Sequence, residues 1–564
     1  MKLTDIIPIV LSKNNVSHAF GLQGGAVVHI FDSIERNNIS VTYTLHEQAA
    51  SLAAISYARI NGFGCCVTTT GPGSTNALTG LLGAWNDSIP VLFVSGQVRS
   101  NHVSYGKNVR QVGTQEAPIC EIVKPITKLA KFIDSPENFQ LEIENAVKVA
   151  KEGRPGPVWI DIPLEYQWMD VPYNEESIIQ KKTEKLLNLD EYKYLLKEST
   201  KPLLVLGNGI HLSRTESLCK EYIESSQIPF VCNWTSQDLF VNSHPLNLGV
   251  IGMSGQKGAN KAVFEADLII CLGTHLSIPH TTTLYKDYAG QAKKILINID
   301  KDQINNLNID FDTIIHSELN VFFTEAISQI KEKKNILLDT KKYKNLNWYF
   351  IDQAKFPNSN VWNRQLTSKA PSKSCFIVDG GGTALYTGFQ STYISSDDQR
   401  IICSSGMSSM GTGLAETIGA FFTHKFTNYY CIIGDGSFFM NVQDLHTISQ
   451  HKIPVIISVI NNNGYLAIRH TQSEFQDKRF FGTHPEWGLT MPILEKIANG
   501  FDIPYRKMDQ PDKMSGMISE LMSIQGPVVC EVVTDPNQEA LFKQKYLKNS
   551  DGSFSPMSLQ DMYP

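Results

Sequence analysis

Along the chain, short apolar runs rich in β-branched residues end in glycine or polar turns and alternate with longer stretches of helical periodicity. This alternation predicts parallel strands joined by crossover helices. The first third carries CCVTTTGPG (65–73), VLFVSGQ (91–97) and VWIDIP (158–163). A second block carries LLVLGNG (203–209), FVCN (230–233), LIICLGT (268–274) and ILINID (295–300). A third carries FIVDGGG (376–382), IICSSG (401–406), YYCIIGDG (429–436), VIISVINNNG (455–464) and VVCEVV (528–533). Charged stretches at 170–192, with KKTEK inside, and at Lys331 to Lys344 read as linkers between the blocks. Three α/β units are expected, and no repeat of solenoid type is evident.

Composition narrows the class without pointing to a function. The 564 residues are 42% hydrophobic and 19% charged, with 39 Gly and 25 Pro; collagen, disulfide scaffolds and long disordered chains are excluded. A formal net charge of −6 supplies no basic field for nucleic acid or anionic lipid, so neither partner is expected. Apolar stretches such as Ile453 to Ile460 fall far short of the ~20 residues that cross a bilayer. Asp5 within a weakly apolar N-terminus makes a poor secretion signal. A cytoplasmic protein is the expectation. Ten cysteines, none in a CxxC pair and several inside apolar runs (Cys271, Cys431, Cys530), read as buried thiols rather than metal or redox groups.

In open parallel sheets, ligands gather where loops leave the carboxyl ends of the strands. Glycine clusters sit at those places: Gly71 and Gly73, Gly207 and Gly209, Gly380 to Gly382, Gly434 and Gly436. None completes GxGxxG, so a dinucleotide dehydrogenase has poor support. The sharpest signal is Gly434-Asp435-Gly436-Ser437 after one apolar run and Asn461-Asn462 after the next, with room for one helix and one strand between. Two neighbouring strand ends then deliver a carboxylate and an amide oxygen to one place. A hard cation such as Mg²⁺ takes such oxygens and keeps phosphate oxygens in its shell. In the plainer reading, Asp435 is a helix cap and Asn462 a turn residue.

This spacing resembles the diphosphate-binding motif of thiamine-diphosphate (ThDP) enzymes, GDG followed by NN, and the resemblance spreads over nearly the whole chain. His46-Glu47-Gln48-Ala49-Ala50 with Tyr57-Ala58-Arg59, Gly71 through Asn76, Trp85 through Pro90, Ser405-Gly406 through Met410-Gly411 and the tail Leu559 to Pro564 are similar, in the expected order, to the acetolactate-synthase-like subgroup. The resemblance implies a pyrimidine-binding domain at 1–170, a central domain at 190–335, a diphosphate-binding domain at 350–545 and a tail at 546–564. It implies that Glu47 holds a proton against the pyrimidine nitrogen of the cofactor, that Met410 is the apolar wedge bending it, and that Gln115 stands on the substrate side. The metal ligands become Asp435, Asn462 and the carbonyl of Gly464. Gly24, Gly25, Thr70, Asn76, Gly381, Gly382, Thr383, Gly406, Ser408, Gly434, Gly436, Ser437 and Tyr465 fall where the family holds ThDP. The family binds it between the first domain of one subunit and the third of another, which implies a homodimer or homotetramer. In this subgroup the central domain often carries FAD without redox use. Gly207, Gly209, Gly252, Met253, Gly255, Thr274, His275 and Asp300 fit that pattern.

Departures from the pattern bear on the substrate. Where acetohydroxyacid synthases carry an ARFDDR-like run after Gly273, this chain reads Thr274-His275-Leu276-Ser277-Ile278-Pro279. Pro279 stands in place of the arginine linked to the acceptor's carboxylate. Thr471 stands in place of the tryptophan that selects 2-oxobutanoate, and Thr114 in place of an aromatic before Gln115-Glu116. The paired histidines of the decarboxylase branch are absent, since His102 stands alone. The resemblance thus implies a carboligase that decarboxylates pyruvate and passes the activated acetyl unit to a ketone or aldehyde. By reasoning rather than motif, that acceptor extends to a nucleotide-linked keto-sugar, as in yersiniose formation. The alternatives are acetolactate formation from pyruvate alone and, in another class, a non-catalytic homologue that only binds the cofactors.

Overall fold

The computed structural model describes residues 1–175, 187–330, 336–347, 355–539 and 546–559. Three six-stranded sheets follow one another along the chain, and every strand pairing within them is parallel. The first runs from edge to edge as Ser40–Tyr43, His18–Gly21, Gly64–Thr68, Val91–Gln97, Val158–Pro163 and Leu129–Phe132. The third has the same order: Arg400–Ile402, Ser374–Val378, Asn428–Gly434, Val455–Asn461, Val528–Val533 and Tyr505–Met508. The central sheet differs, running Thr313–His316, Lys293–Asn298, Leu268–Leu272, Pro202–Leu206, Phe230–Cys232 and Asn247–Val250. Its first and fourth strands in chain order lie side by side, the doubly wound order in which dinucleotides bind at the point of reversal.

Every apolar run named above becomes a strand. The strands without such a run are, apart from His18–Gly21, all at sheet edges. An edge strand is paired on one side only and tolerates half-exposed residues, as along Leu129–Phe132. Residues 181–185, 331–335, the boundary positions 350 and 545, and 560–564 of the tail lie outside the described residues. All ten cysteines are buried free thiols, and among the described residues no helix is long and apolar enough to cross a membrane.

One contiguous apolar core passes through the first and third units, whereas the central sheet has a separate core on each face. Helix Glu47–Asn61 packs along helix Gly413–Phe421. Small residues allow it: a Cβ on Gly419 would stand 2.0 Å from the Ala53 carbonyl oxygen. Ser56 Oγ donates to the Glu416 carbonyl at 2.6 Å across the same junction. A buried Arg59–Asp87 ion pair lies beside it, and Asp87 Oδ1 accepts the Gly406 N–H at 2.8 Å. Breaking such a buried pair from one side typically costs about 3–5 kcal/mol, because the other charge is stranded.

Candidate active site

Glu47 is the first residue of its helix and is buried. His46 caps the helix, its Nδ1 accepting the Gln48 N–H at 3.1 Å. Asn76, the last residue of helix Pro72–Asn76, donates from Nδ2 to Glu47 Oε2 at 3.0 Å. That leaves Oε1 as the uncommitted oxygen, and Gly73 keeps its approach open, since a Cβ there would sit 3.3 Å from it. Thr70 is buried and donates to Gln97 Oε1 at 2.7 Å and the Gln115 carbonyl at 3.2 Å. Gln115 adopts φ 61°, with its carbonyl closing over Gly71, where a Cβ would come within 2.1 Å; its side chain is exposed. Gly24 turns against Thr69, and Gly25 has nothing near its missing Cβ.

At the third sheet, strands Asn428–Gly434 and Val455–Asn461 are neighbours, so their two loops meet as the spacing predicts. Asp435 is buried. Its Oδ1 accepts the Gly436 N–H at 2.9 Å and its Oδ2 the Gly464 N–H at 2.9 Å. Gly464 has φ 124°, a conformation that suits glycine. Burial pushes the Asp435 carboxyl up to about 6, opposed by those N–H groups and by Arg469. Asn462 donates from Nδ2 to Thr383 Oγ1 at 3.0 Å, while its Oδ1 is buried without a partner. A buried carboxylate and an orphaned amide oxygen on adjoining loops fit a hard cation. Among the described residues no group of three or more His, Cys, Asp and Glu could hold a metal, and this oxygen set with its backbone carbonyl is of another kind.

The surrounding glycines form a shallow cradle. A Cβ on Gly381 would fall 2.2 Å from Met410 Cγ, and one on Gly436 would fall 2.1 Å from the Tyr465 ring. Gly382 has φ 64° and Ser408 φ 51°, and a Cβ on Gly434 or Gly382 meets nothing within 4 Å. Beneath the cradle, Asp379 accepts the Gly381 and Gly413 N–H groups at 3.1 and 3.0 Å and a hydrogen bond from Ser437, and burial pushes it up to about 6.

The sequence singled out neither Asp379 nor Arg469. Arg469 is buried and donates to the carbonyls of Asn462, Asn463, Thr483 and Pro536 at 2.7 to 3.2 Å, pinning the asparagine loop. An arginine four residues after the tyrosine of Asn-Asn-Asn-Gly-Tyr, one helical turn beyond Leu466, was the available signal.

Among the described residues no hydrogen bond or ion pair joins Glu47 to the Asp435–Asn462 loops. The three expected acceptor-site residues are also not brought together within one chain. Thr114 and Thr471 are exposed, and Thr471 Oγ1 back-bonds to the Ala467 carbonyl at 3.3 Å. Pro279 lines a cleft between the first and central units instead.

That cleft has two lobes, of about 490 and 840 Å³. Arg154, His275, His280 and Asp300 line both. Arg154 Nη1 reaches Asp300 Oδ2 and Gln303 Oε1, each at 3.0 Å, and burial followed by Arg154 holds His275 below the usual imidazole range. Gly207 and Gly209 let two strand ends close at the point of reversal: a Cβ on either would stand 2.3 or 2.6 Å from the Gly273 carbonyl oxygen. A Cβ on Gly252 would stand 2.2 Å from the carbonyl oxygen of Pro279, which also accepts the Met253 N–H at 2.8 Å, and Gly255 folds back on Ile251. Thr274 and Asn233 are bonded at 2.6 Å.

Three family models match in order: "Thiamine pyrophosphate enzyme, N-terminal TPP binding domain" at 1–120, its central domain at 189–318 and its C-terminal TPP binding domain at 381–532. The chain is 29% identical to the acetolactate synthase large subunit of Cyanidium caldarium, over 94% of this chain and 92% of the relative. It is 27% identical to the acetolactate synthase isozyme 2 large subunit of Escherichia coli (strain K12), over 93% and 94%. With the probable acetolactate synthase large subunit of Methanocaldococcus jannaschii it shares 29% identity, over 95% and 92%. Matched by these three models in turn over most of its length, and by acetolactate synthase relatives from end to end, the chain belongs to the thiamine-diphosphate-dependent enzymes of the acetolactate-synthase-like type.

Proposed function

We propose that this protein is a Mg²⁺-dependent carboligase that takes pyruvate as donor and joins its two-carbon unit to a carbonyl acceptor. The observation that carries the reading is the loop pair at the third sheet, where buried Asp435 adjoins the partnerless Asn462 Oδ1. Asp435, Asn462 and the Gly464 carbonyl would hold the cation, with Thr383 fixing the asparagine amide. Gly381, Gly382, Gly436 and Ser437 would receive the diphosphate, with Gly434, Ser408 and Tyr465 around them. Bound ThDP supplies the electron sink for cleaving the carboxylate from a 2-oxoacid and for adding the remaining acyl unit to a second carbonyl. Glu47 holds a proton at Oε1, since Asn76 occupies Oε2. Met410, lying over Gly381, orients the cofactor as an apolar wedge. Gln115 would stand on the substrate side, and Gly24, Gly25, Thr70 and Asn76 beside the cofactor.

Glu47 and Asp435 act on one cofactor only if the first unit of one copy faces the third unit of another. A homodimer or homotetramer is therefore the working species, checked by light scattering after size exclusion. The units are 1–170, 190–335 and 350–545. Ten free thiols suit a reducing, cytoplasmic compartment. The two-lobed cleft, lined by Gly209, Thr274, His275 and Asp300 with Arg154 in both lobes, would hold FAD without redox use.

For the acceptor, Thr114, Pro279 and Thr471 offer neither a charge nor a bulky wall, which favours a ketone or aldehyde larger than a 2-oxoacid, such as a nucleotide-linked keto-sugar. Pyruvate as its own acceptor is the second reading, favoured by the names of the relatives. A non-catalytic role is disfavoured by the full set Glu47, Asp435 and Asn462. Product analysis decides between the first two: acetolactate from pyruvate alone at full rate, unaffected by a cyclic ketone or keto-sugar, selects the second. If the first holds, Thr471→Trp lowers ligation to the bulky acceptor relative to pyruvate self-condensation by roughly tenfold or more.

A further inference from the structure

We infer that Asp161 is a positioning residue that acts through Gln97 to hold the backbone of Gln115, an inference that rests on the reading of Gln115 as the substrate-side residue. Asp161 lies on strand Val158–Pro163, and Gln97 ends the neighbouring strand Val91–Gln97. Both are buried, 0% and 1% exposed. The stretch 98–118 that follows Gln97 has only the short turn Ser100–His102 as regular structure, so side chains must set its course. Gln115 in particular needs a hold. Its φ of 61° lies in the left-handed region, which costs a residue with a Cβ roughly 1–2 kcal/mol.

Gln97 grips the chain on both sides of that strained residue. Its Oε1 accepts the Thr70 hydroxyl at 2.7 Å, and the same hydroxyl reaches the Gln115 carbonyl at 3.2 Å. Its Nε2 donates to the Ala117 carbonyl at 2.9 Å. A glutamine amide fits such a slot either way round unless a neighbour tells its oxygen from its nitrogen. Asp161 makes that distinction. Its Oδ2 accepts the second Nε2 proton at 3.0 Å, and an ionised carboxylate only accepts, so the amide oxygen is turned toward Thr70. Asp161 is itself held, by Ser95 Oγ at 2.5 Å on Oδ1 and the Tyr105 hydroxyl at 3.3 Å on Oδ2. The Tyr105 oxygen in turn accepts the Cys120 N–H at 3.0 Å. Burial pushes Asp161 up to about 6, opposed by Ser95, Gln97 and Tyr105, which leaves it ionised at neutral pH. Glu116, 6% exposed, ties the loop to itself: Oε1 accepts the Ser104 N–H and hydroxyl at 3.0 and 2.6 Å, and Oε2 the Val112 N–H at 3.2 Å. One carboxylate therefore shapes the loop from within. The other fixes where the loop sits, reaching the Gln115 carbonyl through Gln97 and Thr70.

The test is a double-mutant cycle on the holoenzyme at saturating ThDP and Mg²⁺, read as kcat/KM for CO₂ release from pyruvate. Asp161→Asn keeps the shape but no longer fixes the Gln97 amide. It is expected to lower kcat/KM by roughly tenfold to 100-fold, the worth of a small misplacement, with ThDP affinity within about twofold of the parent's. In a Gln115→Ala background the same substitution is expected to cost less than about twofold, since the side chain it positions is gone. Gln97→Met is read through the same cycle and carries the test if Asp161→Asn does not fold. Combining Asp161→Asn with Gln97→Glu reverses the polarity of the pair, returns an acceptor to Thr70, and is expected to recover part of the loss. Parent-like kcat/KM in both Asp161→Asn and Gln97→Met overturns the inference. So does an equal loss with and without the Gln115 side chain, which marks a purely structural role, and so does a failure of the exchanged pair to recover activity. Parent-like kcat/KM in Gln115→Ala alone removes the substrate-side reading of Gln115, and this inference with it.

Discussion

The first and third units are built on sheets of identical strand order, yet their carboxyl ends present opposite kinds of carboxylate. Glu47 has one oxygen held by a neutral side-chain amide and the other uncommitted. Asp435 has both oxygens met by backbone N–H groups and lies beside an unpaired amide oxygen. The first arrangement suits a group that passes a proton; the second suits a group that stays an anion against a cation. Topology supplies the shelf, and the loop residues supply the chemistry.

The comparison breaks most visibly at the third sheet. Asp435→Ala is expected to abolish Mg²⁺-dependent ThDP binding, raising Kd by more than about 100-fold, because outer partners of a metal site alone are worth about 10–100-fold; titration of the variant with ThDP and Mg²⁺ checks it. Glu47→Gln should do the reverse, keeping ThDP affinity near the parent's while turnover falls about 10²–10⁴-fold, the usual worth of a placed acid–base group. Full turnover with saturating cofactor would remove Glu47 from its role. An intermediate effect is expected from Thr383→Val, which frees Asn462 Nδ2 from its partner. Mg²⁺ affinity should fall about tenfold with kcat at saturating Mg²⁺ little changed, since the ligand is misaligned rather than removed.

The last effect is on stability rather than on binding or turnover. Asp444 is fully buried and neither of its oxygens has a hydrogen-bond partner, and burial pushes its carboxyl up to about 8. Its unfolded value is near 3.9, so the folded state binds the extra proton, and stability is lost as pH rises from about 4 through 8. Asp444→Asn removes that titration. The apparent Tm of the variant should therefore gain on the parent's between pH 5 and pH 8, by roughly 1–4 kcal/mol in free energy. Parallel curves would show that Asp444 stays ionised.

Strands with a continuous apolar run were legible because parallel strands buried on both faces need one. Ser40–Tyr43 and Tyr505–Met508 were not, since an edge strand is bonded on one side and its exposed residues blur the pattern. The Gly434–Ser437 and Asn461–Asn462 signal survived as geometry because adjacent strands carry it. What periodicity cannot disclose is which distant segment a buried polar side chain reaches. Arg469 gathers carbonyls as far along as Pro536, and Asn233 meets Thr274 through folding alone. Thr114, Pro279 and Thr471 were grouped by position in a pattern, and a single chain does not assemble them.

The buried members of the apolar core common to the first and third units skip from Val171 to Cys375, with only Tyr173 and Leu212 from the stretch between packed against it. A ribosome adding about 5–20 residues per second needs on the order of 10–40 s to make the intervening stretch. Throughout that interval the alanine-rich side of helix Glu47–Asn61 is finished but uncovered, because Gly413–Phe421 does not yet exist. The nascent chain thus carries an adhesive surface for as long as its central unit takes to emerge. Slow codons or truncation in that unit should affect yield through aggregation rather than through loss of any cofactor contact.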